Sequence, residues 1–285
     1  MNTPRIVVGY DGSGETRAAV DWAAAEAART AAPLLIVHAY QFVWPAGYDS
    51  GASIAIVTAA QARARHALGR ILEHVHRLNP GIAATGTAVP APPAAALLDA
   101  ARDARLLVVG NHGGGGVAGL LLGSVSQQVA TRSPVPVAVV RGRATAAEGP
   151  VVVGVNDSPS CDATLALAFD AAAARGTGVV AIRAYPPPSP AAKPLSAAEA
   201  NELAALDASL AGWPGKYPGV PLDATLTAGR PARVLIGASR TAQLVVVGGR
   251  DHNGLAGVVL GSVGQRLMHH ARCPVLITHR KEEAA

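Results

Sequence analysis

Short unbroken runs of Val, Ile and Leu alternate along the chain with longer Ala-rich stretches of helical length. Runs such as Ile6–Val8, Leu35–Val37 and Leu106–Val109 contain no alternating polar residues, which is typical of strands buried on both faces of a parallel sheet. In each half the coarse order is strand, helix, strand, loop, helix, strand, helix, strand, Gly-rich loop, helix and strand. This order predicts an α/β fold with two tandem, doubly wound, five-stranded parallel sheets between helix layers.

The order occurs twice because the chain is a tandem duplication. The opening segment Ile6-Val-Val-Gly9-Tyr-Asp11-Gly-Ser13 corresponds to Val151-Val-Val-Gly154-Val-Asn156-Asp-Ser158, and closer matches follow near the end of each half. A repeat of this length is a whole domain and not the unit of a solenoid. We therefore expect a first domain over residues 1–143 and a second over residues 150–281, joined by a short polar linker.

Composition narrows the classes of function. Of the 285 residues, 50% are hydrophobic and 15% charged, so two packed cores are expected. Aromatic residues make up 4%, which argues against modules that bind nucleic acids by stacking exposed rings on bases. The net charge of +5 is diffuse, and residues 1–145 carry most of it, with 12 basic and 8 acidic residues against 12 and 11 in residues 146–285. The chain is thus expected to attract anions only mildly.

The cysteines and the apolar segments bear on the cellular compartment. Cys161 and Cys273 lie far apart without metal-ligand spacing, which favours buried thiols in a reducing compartment over a disulfide. The apolar run at the start is too short for a signal peptide, and no segment approaches the ~20 apolar residues of a membrane span. We expect a cytoplasmic protein that contacts neither membrane nor nucleic acid.

A glycine-rich turn follows the fourth predicted strand of the first half. Its glycines and serine have the spacing G-x-x-G-(nine residues)-G-S, at Gly110, Gly113, Gly123 and Ser124. Bare backbone N–H groups ahead of a helix N-terminus form a phosphate pocket without requiring Lys. From the residues alone, the alternative of a flexible glycine tip with Ser124 as a simple N-cap stays open. The chain contains no G-x-x-x-x-G-K-[ST] motif and no suitably placed G-x-G-x-x-G, which excludes P-loop and dinucleotide-binding sites.

These motifs together closely resemble the universal stress protein family, in its tandem form, over nearly the whole chain. The resemblance rests on the opening Val-Val-Gly9-Tyr-Asp11-Gly-Ser13, the glycine pattern, Val125-Ser-Gln127 and the closing Pro134-Val-Pro-Val137. It implies a Rossmann-like fold of the adenine nucleotide alpha hydrolase type, with ATP as the ligand, with or without Mg²⁺. In the first half the implied ATP-binding residues are Gly9, Asp11, Ala39, Val109, Gly110, Gly113, Gly123, Ser124 and Val125.

The second half departs from this pattern at charged positions. Asn156 replaces Asp11, Asp157 replaces Gly12, and Asp251 replaces Gly113. A carboxylate ~5 Å from a phosphate charge costs on the order of 3 kcal/mol at an effective dielectric constant of 20. We expect ATP to bind well in the first half, and weakly or not at all in the second. The corresponding positions there are Gly154, Asn156, Ala184, Val247, Gly248, Gly261, Ser262 and Val263.

Other polar groups do not form a convincing catalytic or metal site. His74 and His76 lie two residues apart on one predicted helix and face different ways, so a solvated face is favoured over zinc. His112 and His252 flank the glycine loops, a position in which histidines are more often bystanders than functional groups. The sequence therefore favours a nucleotide-binding regulator of stress or dormancy responses. The alternatives are a slow ATPase or autophosphorylating protein and a nucleotide-free interaction scaffold.

The last predicted strand of each half contains an early proline, as edge strands allow. By resemblance to the family, the two halves are expected to pair through these strands about a pseudo-two-fold axis. One chain would then imitate a dimer of single-domain relatives. A homodimer of the whole chain and an unidentified protein partner are further expectations.

Overall fold

The structure is a computed structural model that divides into two units, Met1–Val140 and Arg141–Ala285. The residues that it describes are 3–41, 50–111, 123–144, 148–186, 197–249 and 260–278. Within this part of the chain, no helix is both long and apolar enough to cross a membrane.

The first unit is a parallel sheet flanked by helices. Its strands follow the order β3-β2-β1-β4-β5, with β1 paired in parallel to both β2 and β4. The elements are β1 Ile6–Gly9, α1 Gly14–Thr30, β2 Leu34–Ala39, α2 Ser50–Leu78, β3 Ala84–Val89, α3 Pro93–Ala100, β4 Leu106–Gly110, α4 Ser124–Arg132 and β5 Val137–Val140.

The second unit repeats this topology, with strands in the order β8-β7-β6-β9-β10. The short helix α7 is an addition to the predicted order of elements. The predicted α/β class and the tandem parallel sheets are confirmed. The elements are β6 Val151–Gly154, α5 Cys161–Arg175, β7 Val179–Tyr185, α6 Ala197–Leu210, α7 Trp213–Lys216, β8 Leu222–Ala228, α8 Pro231–Ala238, β9 Leu244–Gly248, α9 Ser262–His270 and β10 Val275–Thr278.

Small residues let the helices approach the sheet closely. Ile6–Val8 are fully buried, and the face of α1 that covers the strands contains Ala19, Ala23 and Ala27, which are also fully buried. These alanines recur every four residues, so they form one stripe along the helix. The Ala-rich composition is therefore the reason that α1 packs directly onto the strands that end at the site described below.

The predicted buried thiols are confirmed, because Cys161 and Cys273 are both buried and neither forms a disulfide. Burial in a low-dielectric environment disfavours the thiolate. It raises the pKa of the Cys161 thiol, and it raises the pKa of Cys273 to about 12.

Helices α1 and α5 end in the same left-handed turn with different residues. Ala31 follows α1 with φ of 48°, and Gly176 follows α5 with φ of 63°. A Cβ in this conformation is strained, which is why glycine is preferred there. A Cβ on Gly176 would meet no atom within 4 Å, so the strain at this position comes from the backbone alone.

We expect Ala31→Gly to raise the free energy of unfolding by a few tenths to about 1 kcal/mol, because it relieves this strain. The reciprocal change Gly176→Ala should lower it by about 1 kcal/mol. Urea unfolding followed by circular dichroism measures both effects. Two changes of the same sign would contradict the account.

Candidate nucleotide site

A cavity of about 340 Å³ opens at the carboxyl ends of the strands in the first unit. This is the point where the strand order reverses, since β2 lies on one side of β1 and β4 on the other. Helices that leave such neighbouring strands on opposite faces open a crevice between them. The lining residues are Gly9, Tyr10, Asp11, Thr16, Val37, Ala39, Pro93, Leu97, Val109, Gly110, Gly123, Ser124, Val125 and Ser126.

Eight of the nine residues predicted for the first half line this one cavity, and the ninth, Gly113, lies outside the described residues together with His112. The structure therefore brings together segments that are more than 100 residues apart in the chain. Sequence reasoning missed six lining residues. One of them, Val37, had a usable signal, because it lies two residues before Ala39 on the same side of β2. The missed residues are Tyr10, Thr16, Val37, Pro93, Leu97 and Ser126.

Apolar side chains form the inner wall of the cavity. Leu97 and Val109 are buried, and Leu97 packs directly over Gly9 at the end of β1. A Cβ on Gly9 would lie 3.0 Å from Leu97 Cδ1, so a larger residue would push Leu97 out of its place. The missing side chain of Gly9 therefore helps to set the shape of a wall suited to a flat, weakly polar ring.

Asp11 is the only charged residue among the described lining residues. Its Oδ1 accepts hydrogen bonds from Thr16 Oγ1 at 2.6 Å and from the backbone N–H of Ser13 at 2.9 Å. The turn between them uses Gly12 with φ of 91°. These contacts fix the carboxylate beside the cavity, where it can accept a hydrogen bond from a ligand hydroxyl.

The N-terminus of α4 forms the opposite rim. Ser126 Oγ donates to the carbonyl oxygen of Gly110 at 2.6 Å, and the N–H of Gly123 donates to the carbonyl of Asn111 at 2.9 Å. Both bonds fasten the helix start to the end of β4. No side chain caps the helix, because the N-cap residue is Gly123. The N–H groups of its first turn, including those of Ser124, thus offer donors at the positive end of the helix dipole.

The second unit keeps the apolar inner wall of this site and changes the polar group beside it. A Cβ on Gly154 would lie 3.0 Å from Leu235 Cδ1, which repeats the geometry of Gly9. Asn156 takes the place of Asp11, and its Oδ1 accepts from the N–H and the Oγ of Ser158 at 3.2 and 2.8 Å. Cys161 takes the place of Thr16. A neutral amide therefore occupies the position of the carboxylate.

The other residues predicted for the second half lie at the same edge of their sheet. Ala184 lies in β7, Val247 and Gly248 end β9, and Gly261 is the N-cap of α9, which Ser262 and Val263 open. Three hydroxyl oxygens, from Ser160, Thr164 and Thr278, lie 3.1 to 3.9 Å from where a Cβ on Gly248 would stand. Asp251 and His252 lie outside the described residues.

The carboxylate of Asp157 is held in an ion pair. Arg183 Nη1 and Nη2 donate to its Oδ1 and Oδ2 at 2.8 and 2.7 Å, and Arg183 Nε donates to Glu202. The Arg183 side chain is 7% exposed, whereas that of Asp157 is 74% exposed. The hydrogen bonds that Arg183 donates lower the pKa of the Asp157 carboxyl, and the two carboxylates that accept them raise the pKa of Arg183. The charge introduced at the position of Gly12 is therefore compensated inside the unit.

One histidine differs from the sequence prediction. His74 was expected on a solvated helix face, but its side chain is 12% exposed and its Nε2 lies 2.7 Å from Asp21 Oδ1. The partner is 53 residues away in the chain, on α1, so local sequence could not reveal it.

Comparisons with known proteins agree with this architecture. The sequence profile described as the universal stress protein family matches residues 2–141 and 149–279. A universal stress protein of Mycobacterium tuberculosis is 33% identical, covering 98% of this chain and 100% of the relative. One of Mycolicibacterium smegmatis is 34% identical, covering 95% and 96%. The crystal structure of a universal stress protein from Archaeoglobus fulgidus aligns with a TM-score of 0.74 at 15% identity, covering 98% of this chain and 100% of that one.

The fold defines a tandem α/β protein of the doubly wound, Rossmann-like class. The chain belongs to the universal stress protein family, with one family domain in each half.

The ion pair between Arg183 and Asp157 makes the stability of the second unit depend on pH. The pKa of Asp157 is lower in the folded protein than in the unfolded chain, where it is about 3.9. The ion pair therefore contributes to the free energy of unfolding above about pH 3.9, and this contribution is lost as the pH falls through the folded-state pKa. We expect Asp157→Asn to lower the free energy of unfolding by a few tenths to about 1 kcal/mol at neutral pH and to leave it unchanged in strong acid.

Carbon-detected NMR titration of the Asp157 carboxyl tests the cause. We expect the pKa to return toward its ordinary value in Arg183→Met protein. An unchanged pKa in that variant would show that Arg183 does not depress it.

Proposed function

We propose that the first half of this universal stress protein binds ATP in the cavity at the carboxyl ends of β1 and β4. The chain would act as a nucleotide-dependent regulator of a stress or dormancy response. The observation that carries the proposal is the convergence of an oriented carboxylate and an uncapped helix N-terminus on one apolar-walled cavity. Its volume lies within the roughly 300 to 1,000 Å³ of small-molecule pockets.

Each part of the cavity suits one part of the nucleotide. The apolar wall at Leu97 and Val109 suits the adenine ring, and the Asp11 carboxylate suits a ribose hydroxyl. The first-turn N–H groups at Ser124 and Val125 suit phosphate oxygens, because a helix N-terminus attracts anions without a basic side chain. If Mg²⁺ accompanies ATP, it would neutralise phosphate charge.

We propose that the site binds a nucleotide rather than hydrolyses it. No Lys, Arg or His belongs to the described lining residues, and Asp11 is held by Thr16 and Ser13. The site therefore offers contacts that hold a nucleotide and no described group that would move a proton to or from an attacking water.

We propose that the second half binds ATP weakly or not at all. Asn156 offers one neutral acceptor oxygen, which already receives two hydrogen bonds from Ser158. A hydrogen bond to a charged group contributes about 1.5 to 3 kcal/mol, whereas a neutral one contributes about 1 kcal/mol. The exchange of Asp for Asn therefore favours ATP binding in the first half, even though the second half retains the apolar wall at Gly154.

Titration calorimetry with ATP tests the proposal. Wild-type protein should bind a single ATP per chain. Asp11→Asn should weaken binding by about tenfold or more, because a hydrogen bond to a charged acceptor is replaced by one to a neutral acceptor. The matched change in the second half, Asn156→Ala, should alter the affinity by less than about twofold, since that position is not part of the proposed site.

Parallel arms separate the alternatives. Two equal sites per chain would contradict the asymmetry, and an equal loss in both variants would contradict the assignment of the site. Tighter binding of AMP or cyclic AMP than of ATP would contradict the role of the α4 N-terminus. Phosphate release above that of Ser124→Ala protein would support the slow ATPase instead.

A further inference from the structure

Another concave surface lies in the second unit, lined by the end of β8 and by α8 and α9. The groove between these helices encloses about 710 Å³. It shares no residue with the cavity of the first unit or with the predicted second site. Its lining residues are Ala228, Gly229, Arg230, Arg233, Val234, Ile236, Arg266 and His270.

The charged groups of this groove all have one sign. Arg230, Arg233 and Arg266 line it together with His270, and no carboxylate belongs to the described lining residues. None of the ion pairs found within the described ranges involves these arginines. All three are exposed, so their guanidinium groups are available to a ligand from solvent.

The duplication supplies an internal reference for these positions. In the first unit, Arg230 and Arg233 correspond to Pro92 and Ala95 at the start of α3, and Arg266 corresponds to Gln128 on α4. Helices α3 and α8 correspond to each other, as do α4 and α9, so the fold does not require arginine at any of the three positions. The three arginines are therefore particular to the second unit, in which His270 takes the place of Arg132, although that half carries the smaller net charge.

Arginine recognises phosphate through its planar fork, which donates two parallel hydrogen bonds to one anion. Three such groups with no opposing carboxylate suit a ligand with several negative charges. The groove is concave and has a volume typical of small-molecule sites. No Phe, Tyr or Trp belongs to its described lining residues, which disfavours single-stranded nucleic acid as the occupant.

We propose that the groove between α8 and α9 binds a small, multiply charged phosphate anion through Arg230, Arg233 and Arg266. Val234 and Ile236 supply the apolar wall beside these groups. The inference does not rest on the proposed function, because the two sites lie in different units and use different chemistry. The first uses backbone amides, and this one uses guanidinium groups.

Amide-resolved NMR titration with inorganic tripolyphosphate tests the proposal on the full-length chain. Amide signals of Arg230, of residues 232–234 and of residues 266–270 should shift and saturate, and rising salt should weaken the effect by screening. The double variant Arg233→Gln/Arg266→Gln should bind at least about tenfold more weakly at these signals. The matched control Arg240→Gln removes another exposed arginine of the same unit outside the groove, and should change the affinity by less than about twofold.

The signals identify which site is occupied. Saturation at residues 230–234 and 266–270, lost in the double variant and kept in the control, supports the groove. Shifts at residues 123–126 alone would place tripolyphosphate only in the first-half site and overturn the inference while leaving the proposed function intact. An equal loss in Arg240→Gln would reduce the effect to overall charge and also overturn it. The spectrum of each variant reports whether it folds.

Discussion

The parallel pairing of β1 with both β2 and β4 determines where ligand chemistry can lie in the first unit. Parallel strands present their carboxyl ends at one edge, and the crossover connections leave on opposite faces where the order reverses. The end of β1, the end of β4 and the start of α4 are thereby held around one cavity. Polar groups that follow these strands, such as Asp11, become a site because the sheet places them there.

The start of α4 exposes its first-turn N–H groups because no side chain caps the helix. A serine or aspartate at the position of Gly123 would satisfy the first-turn amides with its own side chain. Glycine leaves them available, while Ser126 anchors the helix to Gly110 from inside the fold. The anchored helix start and the open amides together leave a rim that offers N–H donors and whose described lining residues include no basic side chain.

Duplication allowed the two halves to carry different chemistry on one scaffold. The inner wall has the same geometry at Gly9 and Gly154, yet the amide of Asn156 stands in the second half where the carboxylate of Asp11 stands in the first. The second half has also gained Arg233 and Arg266 on a surface where the first half has neutral residues. Each half is thus the natural control for the other, because backbone effects are shared and side-chain effects are not.

The sequence was sufficient where local rules decide the outcome. Unbroken apolar runs predicted most of the strands, and glycine spacing predicted the residues at the end of β4 and the start of α4. Contacts that depend on packing between distant elements escaped it. Leu97 reaches the cavity only because α3 covers β1, and His74 finds Asp21 only because α2 lies beside α1. The arginine groove escaped it as well, because a net charge summed over a half does not show which side chains converge.

We propose that the cavity of the first unit holds an adenine nucleotide. A crystal structure of the protein soaked in ATP measures this directly. We expect density for adenosine between Leu97 and Asp11, with phosphate oxygens at the amides of Ser124 and Val125, and no density for nucleotide at Asn156. A cavity that contains only solvent, or nucleotide bound in the second unit alone, would contradict it.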